Sequence, residues 1–177
     1  MTGETHRHSH ESPFWRFSLR FYGRPGVADA CLALQDKAGA DVNLLLFVLF
    51  LAERKRQLSS DEIARLDAAV SQWRESVVKP LRALRRGLKP GIDFIPGTVI
   101  ETFRAQIKRL ELESEQIEQH RLEEFAGNEP GSPADSRMDA AQSNLAAYCA
   151  GLANVPQETV AAVLHSFEEF HPIEPHF

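Results

Sequence analysis

Leu44 to Leu51 is an unbroken run of eight apolar residues (LLLFVLFL), and it constrains the fold more than any other stretch. An element with one wet face has no place for such a run. A helix that is apolar all round belongs in the middle of a structure. A bilayer crossing needs about 20 apolar residues, so this segment is too short to span one. Asp41 and Asn43 precede it, and Glu53, Arg54, Lys55 and Arg56 follow it. The expectation is an all-α, multi-helix bundle built around a buried central helix that Asp41 caps.

The flanking segments supply helices to cover it. Residues 1–11 form a polar tail expected to be disordered. Its His6, His8 and His10 have a spacing that an extended segment could use for a borderline metal, but a solvated tail is the reading and no metal site is expected. Ser12-Pro13 is an N-cap followed by proline at the first helical position. The helix behind it carries Phe14, Trp15, Phe17, Ser18, Leu19, Phe21 and Tyr22 and stops at Gly23. Pro25 opens the next, with Val27, Ala30, Cys31 and Leu34 on one face and Gly39 at its end. The link Gly39-Ala40 is short enough to fold the central helix back beside it. Asn43 falls in the first turn of the apolar helix, where a buried amide must find partners, either a neighbouring helix or a ligand.

Ser59 and Glu62 fit a capping box. Behind them Ile63, Leu66, Val70, Trp73, Val77, Leu81, Leu84 and Leu88 fall in one sector at 100° per residue. That phase survives Pro80 and predicts one helix of about 28 residues, roughly 40 Å long and kinked at the proline, the alternative being two helices whose phases match by chance. Opposite its apolar ridge, Lys79, Arg82, Arg85, Arg86 and Lys89 make a basic stripe suited to phosphate or carboxylate. Basic residues at a helix C-terminus also complement its dipole, a purely structural reason for the same residues.

Ile92 to Gly97 (IDFIPG) reads as an apolar connector tucked against the core. Thr98 and Glu101 repeat the capping-box spacing ahead of a helix to Ala126, in which Ile100, Phe103, Ile107, Leu110 and Ile117 make a coiled-coil-like seam. Such a seam packs on the bundle or pairs the 99–126 helix with a second copy as a homodimer. The organisation expected is a helical domain over 12–126, a linker over 127–135 (GNEPGSPAD) and a helical C-terminal extension over 136–177. In that extension a helix through Leu145, Tyr148 and Cys149 precedes a last one that Asn154 and Pro156 start. His165, His171 and His176 make no recognisable metal site.

A net charge of −5 argues against general attraction to nucleic acid. Cys31 and Cys149 lie far apart, so no disulfide framework is expected and a reducing cytoplasm is the setting inferred. There is no glycine-rich phosphate loop, paired-histidine zinc motif or nucleophile elbow, and no cofactor is expected.

The segments W-R-F-S-L, G-V-A-D-A-C-L-A-L-Q-D, D-V-N-L-L-L-F and W-R-E-S-V-V-K-P-L-R-A-L-R-R-G-L-K, between Trp15 and Lys89, resemble a small bacterial family catalogued as a domain of unknown function. The resemblance brings no activity, cofactor or catalytic residue with it. From the residues, the function expected is non-catalytic: an adapter whose Lys79–Lys89 stripe meets an acidic protein or a phosphorylated ligand. The alternative is an enzyme or small-ligand binder with a polar inter-helix pocket, where Asp41, Asn43 and an arginine converge beside Trp15 and Trp73. A DNA-binding regulator is the third reading, with no helix-turn-helix signature to support it.

Overall fold

A computed structural model describes residues 12–127 and 130–171, so the His6, His8, His10 tail and His176 lie outside the described residues. The central helix, α3 (Val42–Glu53), is where the apolar run places it, and Asn43 to Ala52 are all buried. Asp41 caps it by accepting from the backbone N–H groups of Asn43 and Leu44. Around it stand α1 (Pro13–Tyr22), α4 (Ser60–Trp73), α6 (Gly97–Ala126) and α7 (Arg137–Cys149), while α2 (Val27–Ala38) packs chiefly on α8 (Gln157–Glu168). The fold is an all-α bundle.

Phe14, Phe17 and Phe21 of α1 are core residues. The Phe14 ring meets Phe47 edge-on at 4.9 Å, and Phe21 meets Phe167 at 5.9 Å. Pro25 does not open α2. It lies in the turn, and the helix begins at Val27 after Gly26, whose φ of 80° a residue with a side chain rarely adopts.

The long rod continues through Pro80, but its phase does not. Between α4 and α5 (Lys79–Gly87) lies one π-helical turn, Arg74–Val78, in which the Lys79 N–H reaches back five residues to the Arg74 carbonyl. A π turn holds one extra residue. It arises where Pro80 has no N–H to give, so the wider turn absorbs the missing bond. Every side chain beyond it is rotated by one position, about 100°. Val78 is therefore the buried residue, Leu84 is 49% exposed and Arg82 and Arg85 turn toward the bundle. This corrects the expected ridge at Leu84, and Val78 is buried in place of Val77, while Leu81 and Leu88 stay half-buried.

Two further expectations are corrected. Phe94 in the IDFIPG connector is 86% exposed, so that segment is not tucked in. Helix α6 starts after Pro96 without a side-chain cap. It also buries Ile100, Ile107, Glu111, Ser114 and Glu118, leaving Phe103 and Leu110 outside. Within the segment expected to be a linker, residues 130–133 are held in place. β2 (Ser132–Pro133) pairs antiparallel with β1 (Arg56–Gln57), and the Arg56 guanidinium donates to the carbonyls of Pro130 and Gly131. A Cβ on Gly131 would stand 2.3 Å from the Gln57 carbonyl oxygen, so only glycine fits. Beyond it, Ala140, Ala141, Leu145, Val163 and Phe167 join the same core as α3. The C-terminal helices thus contribute to the same core as α3.

Candidate functional site: a polar seam beside a cationic cleft

Helix α6 turns its polar side inward. Glu111, Glu115 and Glu118 recur one helical turn apart, and Gln119 adjoins them. Glu118 is 1% exposed. Asn43 Nδ2 donates to Glu118 Oε2 at 3.1 Å, and Gln119 Nε2 donates to Asn43 Oδ1 at 2.9 Å. Asn43 thus fastens α3 to α6, and both ends of its amide are satisfied.

Beside this pair, Arg74 Nη1 donates to Asp41 Oδ2 at 2.5 Å and to Asp67 Oδ1 at 2.8 Å. The Tyr148 hydroxyl accepts from the Asp41 N–H and donates to the Asp41 carbonyl. Burial raises the Glu118 carboxyl far above the usual range, and the Asp41 charge adds to it. Burial acts on Asp41 in the same sense, but a hydrogen bond from Glu118 and the Arg74 charge offset it and hold that carboxyl low. Glu118 Oε1 is buried with no donor among the described residues. A proton on Glu118, donated to Asp41, accounts for all of this. Two carboxyls share one proton because both cannot ionise side by side.

The sign of the pH effect follows. Folding takes up a proton on Glu118 that the unfolded chain releases above the ordinary glutamate range. The stability from Glu118 is complete below that range and is lost as pH rises toward the elevated folded value. Glu118→Gln keeps a donor toward Asp41 and an acceptor for Asn43, but carries no titrating proton. Its unfolding free energy should be flatter than the wild type's between about pH 5 and about pH 8, by up to about 1.4 kcal/mol per pH unit. Urea titrations across that interval measure it. Parallel slopes in the two proteins would mean that Glu118 is ionised in the fold.

One turn further along α6, Glu111 holds two arginines of the predicted stripe. Arg85 Nε donates to its Oε2 at 2.5 Å and Arg82 Nε to its Oε1 at 2.9 Å. Arg82 also donates to Glu115 and to Gln35 Oε1. Burial would raise the Glu111 carboxyl, but its bonds to Arg85 and Arg82 outweigh this and keep it low. The remaining stripe residues stay at the surface, Lys79 paired with Glu75, Arg86 with Asp36, and Lys89 exposed.

The stripe therefore becomes one wall of a cleft. A cavity of about 340 Å³ lies between α1, α2, α3, α5 and α6. Arg82, Arg85, Arg86 and Lys108 supply its cations, Glu111 and Glu115 its acids, and Gln35, Asn43 and Gln119 its amides. Trp15, Leu19, Tyr22, Leu32, Leu46 and Leu112 make the apolar surface. Lys108 has no ion-pair partner among the described residues. Trp15, Asn43 and the arginines Arg82, Arg85 and Arg86 are brought together here. Asp41 is not; it lines a second cavity of about 550 Å³ with Arg74, Asp67 and Tyr148. Trp73 lines neither cavity and donates from its ring N–H to the Ser114 carbonyl at 2.9 Å. Cys31 is buried, its thiol pushed up to about 12, which makes it a poor nucleophile.

Glu111, Glu115, Glu118, Arg74 and Tyr148 escaped sequence reasoning. The three glutamates' only signal was their spacing along one face, which looks solvated until the partner helix is known; Arg74 and Tyr148 carried none.

The fold and this seam define a class: an all-α bundle whose longest helix is fastened through buried carboxyls to a cationic cleft. Residues 13–122 match a family described as "Protein of unknown function (DUF2390)", and the chain belongs to that family. The match spans α1 to α6 and so contains every residue lining the cleft. No curated protein and no solved structure matches the chain. Among the described residues no group of His, Cys, Asp and Glu is placed to hold a metal ion, and no helix is long and apolar enough to cross a membrane.

Proposed function

We propose that the protein is a non-catalytic binding protein whose ligand, a small anion with an apolar body, occupies the 340 Å³ cleft. The supporting observation is the convergence of four cations, two carboxylates, three amides and an aromatic and leucine surface on one concavity. A mainly apolar cleft with a few fixed polar groups is the usual form of a small-molecule site, and this volume lies at the small end of the range. The docking partner expected for the basic stripe becomes a ligand of the cleft. Arg82 and Arg85 are held by Glu111 in the position a ligand's anionic group would meet, so little side-chain entropy is lost on binding.

Ligand-detected NMR with matched anionic, neutral and cationic aromatic fragments tests this. Anionic fragments should bind and shift the Trp15 indole resonance. Arg86→Glu with Lys108→Glu, both at exposed positions, should weaken them by about tenfold without changing the helical spectrum. Equal binding of all three fragment charges, or shifts confined to Tyr148, would contradict the proposal.

A second surface supports self-association. Val99, Phe103 and Leu110 stand exposed along α6 at coiled-coil spacing, so a homodimer through residues 99–126 would pair these seams. Sedimentation of Phe103→Glu beside the wild type decides it: a dimer that the substitution dissociates supports the pairing, and a wild type that stays monomeric excludes it.

A further inference from the structure

The cleft's charges and its size narrow the ligand further than the reading on which this inference rests. At its base Arg82 and Arg85 face Glu111 and Glu115, two positive charges against two negative. The two carboxylates are held unequally. Glu111 takes both of its oxygens into bonds with Arg85 and a third bond from Arg82. Glu115 engages only through Oε1, to Arg82. It stands one turn from Glu111 and less than one from Glu118, with no second cation bonded to it among the described residues.

We propose that the ligand is an amphipathic monocarboxylate whose carboxylate replaces that of Glu115 on Arg82, while its apolar body lies against Trp15, Tyr22, Leu32, Leu46 and Leu112. A carboxylate that replaces a carboxylate leaves the charge balance of the base unchanged once the displaced Glu115 has taken up a proton. A phosphate dianion on Arg82 would add a second negative charge beside Glu111 and the Asp41–Glu118 pair, where unpaired charge is costly, while Arg86 and Lys108 are exposed and solvated. At the roughly 30 Å³ that one small heavy atom occupies in a liquid, the cleft holds about ten such atoms, the size of octanoate or 3-phenylpropionate.

The displaced Glu115 stays among Glu111, Glu118 and Lys108 of its own helix. Ser18 and Tyr22 of α1, Gln35 of α2, Asn43 of α3 with Asp41 before it, and Arg82, Arg85 and Arg86 of α5 face it from the others. Burial already raises its carboxyl, with Glu111 adding to the effect against Arg82. Without Arg82 it is protonated more readily still. Binding then takes up a proton, and affinity rises as pH falls. In the free protein Glu115 competes for Arg82, which reduces apparent affinity by the fraction of time Arg82 is occupied.

Calorimetric titration with octanoate, octyl phosphate and octylamine into the full chain, at about pH 6 and about pH 8, tests the inference. Octanoate should bind best and more tightly at the lower pH. Glu115→Gln should bind it about tenfold more tightly and lose most of the pH dependence. Octyl phosphate binding as well as octanoate, or octanoate binding independent of pH in the wild type, overturns the carboxylate exchange but leaves an anion-binding cleft standing. An absence of heat with octanoate and octyl phosphate, at both pH values, overturns both. Should Glu115→Gln fail to fold, the pH dependence and head-group order of the wild type decide alone.

Discussion

Replacing Arg74 by Met should lower the unfolding free energy by about 3–5 kcal/mol, the usual cost of leaving one member of a buried ion pair without its partner. The Arg74 side chain is 14% exposed, and the Asp41 carboxylate to which it donates is 7% exposed. Asp41 sits against Glu118, so without Arg74 the only cation bonded to this carboxyl pair among the described residues is gone. Methionine fills much of the same volume, which keeps cavity formation out of the measured difference. Asp67→Asn removes the outer, half-exposed partner of the same guanidinium and should cost less than about 1 kcal/mol. Urea unfolding of the two variants gives the contrast. The double variant Asp41→Asn with Arg74→Met should be milder than the sum of its parts, since removing both charges leaves neither stranded. Equal, small losses for Arg74→Met and Asp67→Asn would show that the Asp41 charge is solvated rather than buried.

The second large effect is expected at Asn144, which is fully buried in α7. Its Oδ1 accepts from the Leu58 N–H at 2.7 Å, and its Nδ2 donates to the carbonyls of Val48 at 2.9 Å and Arg56 at 3.0 Å. One amide thereby satisfies the turn between α3 and α4 and ties it to α7. Asn144→Ala strands those backbone groups at about 1–3 kcal/mol for each that water cannot reach, so a total near 3–5 kcal/mol is expected. Hydrogen exchange at the Leu58 amide should accelerate by more than global destabilisation explains. A variant within about 1 kcal/mol of the wild type would mean that water enters to replace the side chain.

The central helix, its Asp41 cap, the Ser12 cap and the Ser59–Glu62 capping box were legible in the sequence because each is a local rule satisfied by residues within four positions. The rotation at Arg74–Val78 was not. A helical wheel assumes a constant 3.6 residues per turn, and one extra residue shifts every later side chain without altering the composition. Pro80 marked the place but not whether the chain kinks, breaks or widens there. The candidate site divides along the same line. Asn43 and Trp15 could be named because a buried amide and an aromatic stripe carry obligations of their own. Glu111, Glu115 and Glu118 could not, because a glutamate on a charged helix becomes conspicuous only once it faces Arg82 or Asp41. For α7, short apolar residues such as Ala140 and Ala141 give little periodic signal, although they permit its close approach to α3.

The central claim is that the π turn carries Arg82 and Arg85 inward to Glu111. The ¹⁵N-resolved arginine Nε–H spectrum reads it directly, with Arg82→Lys and Arg85→Lys used for assignment. Arg82 and Arg85 should give separate, slowly exchanging Nε–H signals at neutral pH that move when Glu111 is replaced by Gln. Signals for both that exchange with water as fast as those of the exposed Arg65 would place them on the outer surface of an unrotated helix and contradict the account.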